Sequence, residues 1–223
     1  MSFFEHPGAW LAIVGLGCYH GINPGMGWLF AVSNGMQEKR GSAVFAAVPP
    51  IAAGHVLAMA AVLLPFAVVS VSPESVKVLG FVAGCLLIGF GLYKLMNRRH
   101  PRFLARIGPE HLVLWSFLMA TAHGAGLMLV PVFLGLGPSS HGGASGHAAM
   151  TQLAGAGIVS ASMVALVHTA AMVLAGGLIA WIVYRYLGLR LLQRAWLNLD
   201  LLWAGCLIAA GAIGVVTAVY RTS

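Results

Sequence analysis

Four of the nine histidines, His20, His55, His123 and His168, each fall near the middle of a long apolar run. An ionisable side chain surrounded by hydrocarbon is costly, and it is read first as a functional group facing a protein interior. Two of them carry a thioether four residues on, in His55-x-x-x-Met59 and His168-x-x-x-Met172. That spacing puts both side chains on one helical face. Imidazole with thioether suits Cu(I), whereas imidazole alone suits Zn, Ni, Co or Fe. Met26 and Met128 offer further sulfur and Asn23 an oxygen. The five acidic residues, Glu5, Glu38, Glu74, Glu110 and Asp200, all lie at the ends of apolar runs or between them. A hard-cation site would want carboxylates, and a proton relay would have to use histidine instead. The plainer reading of the same residues is that each histidine hydrogen-bonds a neighbouring helix, worth around 1 kcal/mol, and that Met59 and Met172 fill core.

The stretch "YHGINPGMGW" (Tyr19–Trp28) explains how such a site is exposed. Gly21, Pro24, Gly25 and Gly27 predict a loosened or broken helix just after His20, because proline removes a backbone donor and crowds the preceding turn. Backbone freed inside a bilayer is tolerated only where protein or a water-filled cavity satisfies it. Gly124 and Gly126 follow His123 in the same way, with Met128 and then Pro131 shortly after. Asn23, Pro24, Gly25, Met26, Gly124, Gly126 and Met128 are therefore the expected lining of a substrate pathway.

The elements that position these residues are apolar helices. Of 223 residues, 60% are hydrophobic and 8% charged, against roughly a quarter charged in soluble domains. The expected fold class is all-α integral membrane. A span needs about 20 apolar residues, and six are predicted, at approximately 9–34, 44–70, 77–95, 111–136, 152–184 and 199–220. The formal charge of +7 is not a nucleic-acid patch, since the basic residues are confined to short segments between the runs. Lys39, Arg40, Lys94, Arg98, Arg99, Arg102, Arg106, Arg185, Arg190 and Arg194 fall on one side of the predicted membrane, and Lys77 and Arg221 on the other. The positive-inside rule places the larger group in the cytoplasm and both termini outward. The opening "MSFFEHPG" has no Lys or Arg, unlike a signal peptide. Cys18, Cys85 and Cys206 lie inside apolar runs, which does not fit a disulfide framework.

The halves repeat. "AGCL" recurs at Ala83 and Ala204, with Cys206 following Cys85 by 121 residues; "HVLAM" and "HTAAM" set His168 113 after His55; "HGINPGM" and "HGAGLM" set His123 103 after His20. Three matches in order predict an ancient duplication of three spans, and an odd number forces the second half to enter from the opposite face. Inverted repeats are the architecture of many secondary transporters, with sites near the midplane between halves. The expected organisation is a first three-helix repeat over 1–97, a basic cytoplasmic linker over 98–110 and a second repeat over 111–223. The Gly- and Ser-rich segment Gly137–Met150 reads as an outward loop, in which His141 and His147 are accessory metal-gathering candidates or incidental residues of a linker.

This layout resembles the LysE-like superfamily of small inner-membrane transporters, in which two inverted three-helix repeats carry Gly/Pro motifs in their first helices. "HGINPG" at His20–Gly25 is similar to the "HALGPGH"-type motif of its nickel/cobalt-exporting branch, and "HGAG" at His123–Gly126 echoes it. The resemblance implies that fold, a bacterial inner-membrane location and metal as substrate. Two departures bear on substrate. The acidic residue common in nickel motifs is replaced by Asn23 and Met26, and Cys18 has no partner in the matching "TAHG", unlike thiol-transporting relatives.

The function expected is transport of a transition-metal ion (Cu, Ni, Co or Zn) through His20, His55, His123 and His168, with Met59 and Met172, by alternating access. The alternative is a membrane metalloprotein or haem-binding subunit of a larger complex. No nucleophile stands with a paired base and carboxylate, so hydrolysis is not expected. The expected partners are the lipid bilayer, the metal ion and a second copy in a homodimer or a larger membrane complex.

Overall fold

The computed structural model describes residues 7–69, 73–97, 111–135, 147–187 and 196–220. Among them every regular element is helical. In chain order these are α1 (Pro7–Ile22), a 3-10 turn (Pro24–Met26), α2 (Trp28–Glu38), α3 (Ser42–Ala46), α4 (Val48–Val69) and α5 (Pro73–Met96). The second half supplies α6 (Leu112–Ala122), α7 (Ala125–Gly135), α8 (His147–Ile182, continuing as a π-helical turn Val183–Leu187) and α9 (Trp196–Tyr220). The basic linker 98–110 and most of the loop with His141 lie outside the described residues; His147 opens α8.

Three helical stretches, Ser42–Val68, Glu74–Met96 and Gly157–Tyr186, are long and apolar enough to cross a membrane. A fourth is obtained if α6 and α7, bent by 60° at their junction, count as one. Leu11, Leu57, Leu114, Leu174 and Leu178 are each more than half exposed, while His20, His55, Ser116, His123, His168 and Thr169 are buried. Apolar outside and polar inside is the distribution a lipid solvent selects.

Small residues decide which helices touch, as they do where lipid removes the hydrophobic drive for association. On α1, a Cβ at Gly17 would lie 2.5 Å from the His168 carbonyl oxygen, and one at Gly21 would collide with the Met172 carbonyl oxygen. Contacts advance together along both chains, so α1 and α8 run parallel. α4 and α6 do the same. The Ser116 hydroxyl donates to the Ile51 carbonyl at 2.7 Å, Gly54 backs onto the Val113 carbonyl, and Gly126 of α7 then packs against Ala58 and Val62. α5 and α9 instead run antiparallel: Gly80 faces Ala218, Gly84 faces Gly211 and Gly91 faces Ala204. α4 and α8 are also antiparallel, with His55 beside His168 and Ala67 beside Gly157.

Candidate functional site

The first break is built from the residues that predicted it, and it is closed locally. α1 continues to Ile22. Asn23 then takes an extended backbone conformation, and its side-chain oxygen accepts from the Gly25 N–H at 2.9 Å. Pro24 starts the 3-10 turn, and Gly27 ends it at φ 110°, a conformation that only glycine adopts easily. The Trp28 indole N–H reaches back to the Ile22 carbonyl at 3.1 Å. One of the carbonyls freed by the break is thereby satisfied inside the protein, as a nonpolar surrounding demands. The second break is shorter. α6 ends at Ala122, His123 and Gly124 form the turn with Gly124 at φ 70°, and α7 begins at Ala125. Pro131 lies inside α7 and does not make the break.

Three of the four predicted histidines meet. The His20 and His168 rings are 4.9 Å apart between centroids, His20 and His55 5.7 Å, and His55 and His168 5.6 Å. All three are at most 1% exposed. They come from α1, α4 and α8, so the parallel α1–α8 pair and the antiparallel α4–α8 pair together bring them to one depth. His123 lies in the turn between α6 and α7, outside the ring contacts of the trio but within electrostatic reach of His20. Its ring faces the first break: a Cβ at Gly25 would sit 3.5 Å from both its Cε1 and Nε2. The two "HG" motifs therefore approach each other through His123 and Gly25, while His20 joins the trio.

The hydrogen bonds fix which nitrogen is presented. Nδ1 of His20 donates to the Leu16 carbonyl (3.1 Å), Nδ1 of His123 to the Met119 carbonyl (2.8 Å) and Nδ1 of His168 to the Ile13 carbonyl across the α1–α8 contact (3.2 Å). A carbonyl oxygen only accepts, so each Nδ1 carries hydrogen and the neutral ring keeps its lone pair on Nε2. Metal-ligating histidines are held in this way, through an N–H to a carbonyl. Nε2 of His55 and of His168 is buried with no hydrogen-bond partner among the described residues. Leaving such atoms unsatisfied costs on the order of 1–3 kcal/mol each.

The donors do not yet converge. Among the described residues no three His, Cys, Asp or Glu side chains are placed to hold one ion. With metal–nitrogen bonds of about 2.0–2.1 Å, imidazoles sharing an ion have centroids roughly 5 Å apart, so the spacing of the trio is suitable and the ring directions are not. The His55 and His168 planes are within 12° of parallel, with His20 nearly perpendicular to both.

The methionines split among apolar clusters. Met59 packs with Ile13, Leu63 and Leu129, Met172 and Met26 with Trp28, Val32 and Ile51, and Met128 with Leu87 and Leu207. Met26 and Met172, with Gly21, Trp28, Ile51 and Gly176, also line a cavity of about 20 Å³. This is space for about one water-sized particle. The sequence pattern did not single out Trp28 or Ser116, though both close polar gaps in the bundle. A serine in the middle of the apolar run of α6 was the signal available for Ser116.

No family model, curated protein or solved structure matches this chain.

Proposed function

We propose that the chain is a membrane transporter of a transition-metal ion, with six spans arranged as two inverted three-helix repeats and a histidine site at their interface. In this reading α1 with α2, α4 and α5 form the first repeat, and α6 with α7, α8 and α9 the second. The pattern of packing supports it. Spans one and five run parallel, as do two and four, while two pairs with five and three with six in antiparallel fashion. A two-fold axis in the membrane plane exchanges those pairs among themselves. The duplication offsets carry Ile13 to Ser116 and His168 to His55, and each pair stands in the corresponding helix contact: His168 bonds α1 at Ile13, and Ser116 bonds α4 at Ile51.

The observation that carries the metal reading is the trio itself: three buried imidazoles at mutual distances of 4.9–5.7 Å, with Nε2 of His55 and His168 lacking a hydrogen-bond partner among the described residues. His55 makes no ring hydrogen bond among the described residues, so it is the ring free to swing and complete a site with His20 and His168. Neutral nitrogen donors without carboxylates favour Cu, Zn, Ni or Co as cargo over Mg or Ca. The thioethers sit outside the trio, so sulfur ligation adds less support than the imidazoles do. A resident haem is supported less well, because the rings touch one another and leave no slot for a macrocycle.

The test is metal flux into proteoliposomes, offered Cu(I), Ni(II), Co(II) and Zn(II) separately, comparing wild type with His55→Ala and His168→Ala. Flux of one ion should fall by about 10–100-fold or more in each variant, since even outer-shell changes cost that much in metal affinity. Unchanged flux in the His55/His168 double alanine variant, folded by its thermal transition, would end the proposal.

A further inference from the structure

A second cavity, of about 360 Å³, opens between α5, α7 and α9, and none of the four histidines lines it. It lies within the range of about 300–1,000 Å³ seen for ligand pockets. Its walls are Val76, Gly80, Pro131, Leu134, Gly214 and Ala218, and its polar groups are Lys77, Thr217 and Tyr220. The three helices end together at this level: Lys77 is one turn into α5, Leu134 one residue from the end of α7, and Tyr220 the last residue of α9. One end of the crevice is therefore at headgroup depth, and the rest runs between apolar helices, where a hydrocarbon chain fits.

Lys77 gives the crevice its sign. Glu74 lies one turn away, yet the only ion pair among the described residues joins Arg40 to Glu38. The Lys77 ammonium thus stands at the mouth of an apolar slot without a carboxylate partner among the described residues. The 121-residue offset carries Lys77 to Asn198, so the matching position in the other half holds no lysine. We propose that this crevice binds one acyl chain of an anionic phospholipid, with the headgroup phosphate on Lys77. The proposal does not depend on what the histidines carry.

Delipidated protein in mild detergent, given equal amounts of phosphatidylglycerol and phosphatidylethanolamine, would be examined by native mass spectrometry. Wild type should retain one phosphatidylglycerol in preference. Lys77→Gln should lower its retention about fivefold, the effect of one basic residue near a membrane surface, while leaving phosphatidylethanolamine unchanged. Lys77→Arg should restore retention. Gly80→Leu should lower retention of both lipids by filling the slot. A Cβ there meets only Ala218 and Leu134 at 3.6–3.7 Å, so the backbone need not move. Equal retention of the two lipids by wild type, or undiminished phosphatidylglycerol in Lys77→Gln, overturns the proposal. So does a Gly80→Leu variant that keeps its lipid but has a smaller oligomeric mass than wild type, which would make the crevice a contact between copies.

Discussion

The two breaks that follow "HG" perform one task by different means. After His20 the chain takes five residues, Asn23–Gly27, to leave one helix and enter the next, and it uses a proline, an asparagine cap, a 3-10 turn and a tryptophan tie. After His123 it needs two residues and a single left-handed glycine, and the helix bends by 60°. In the first, the histidine stays on the intact end of α1 and turns into the trio. In the second, the histidine is itself part of the turn and looks across at Gly25. If the halves descend from one ancestor, the backbone interruption has been kept and the direction of the imidazole has not. Interruption is a property of glycine and proline spacing, whereas direction depends on where in the helical turn the interruption falls.

That contrast can be broken most severely at Gly27. With φ at 110° and Ile51 carbons 3.2–3.3 Å from any added Cβ, Gly27→Val should destabilise the protein by about 3 kcal/mol or more, read as a lowered thermal transition in a fixed detergent. Trp28→Phe keeps the ring and removes the donor to Ile22. The abandoned carbonyl should cost about 1–3 kcal/mol, and amide exchange should speed up locally between 20 and 28. At the second break Gly124→Ala should cost about 1–2 kcal/mol, the usual penalty of left-handed backbone for a residue with a Cβ. It should cost less than Gly27→Ala in the same assay; the reverse order would mean that the shorter break is the more constrained. Asn23→Ala, which deletes one cap hydrogen bond, should cost about 1 kcal/mol, and Asn23→Asp, which keeps an acceptor oxygen at this buried position, should restore the cap hydrogen bond.

Much of this was legible in the residues. The apolar runs gave the helices, because hydrophobic length is what a bilayer constrains, and the "HGINPG" stretch gave the first break because proline and glycine act through local backbone geometry. The burial of all four histidines is legible from the apolar runs that surround them. Their division into three and one was not. Sequence spacing places residues on a common stripe of one helix, but it carries no information on how that helix is rotated toward its neighbours. The methionines make the same point. Met59 and Met172 do follow their histidines at the helical repeat, yet each ends in a different apolar cluster. The cause lies in the small residues, since Gly17, Gly21, Gly54 and Gly84 set the rotation by deciding where backbones can touch. Gly21→Val should accordingly drive α1 away from α8 and scatter the trio, whereas Gly15→Ala, with nothing within 4 Å, should leave stability unchanged or raise it by about 0.5–1 kcal/mol.

The hydrogen bond from His168 to Ile13 is the place where the trio's ring geometry is written into a different helix. Ile13 sits inside α1, so its carbonyl already serves the helix and takes the imidazole as a second donor. Carbonyl stretching frequency drops with each hydrogen bond accepted. A single isotope-labelled carbonyl at Ile13 is consequently a vibrational gauge of whether the His168 ring is docked. Its band would move upward in any state where that ring turns away, without a probe added beside the ring.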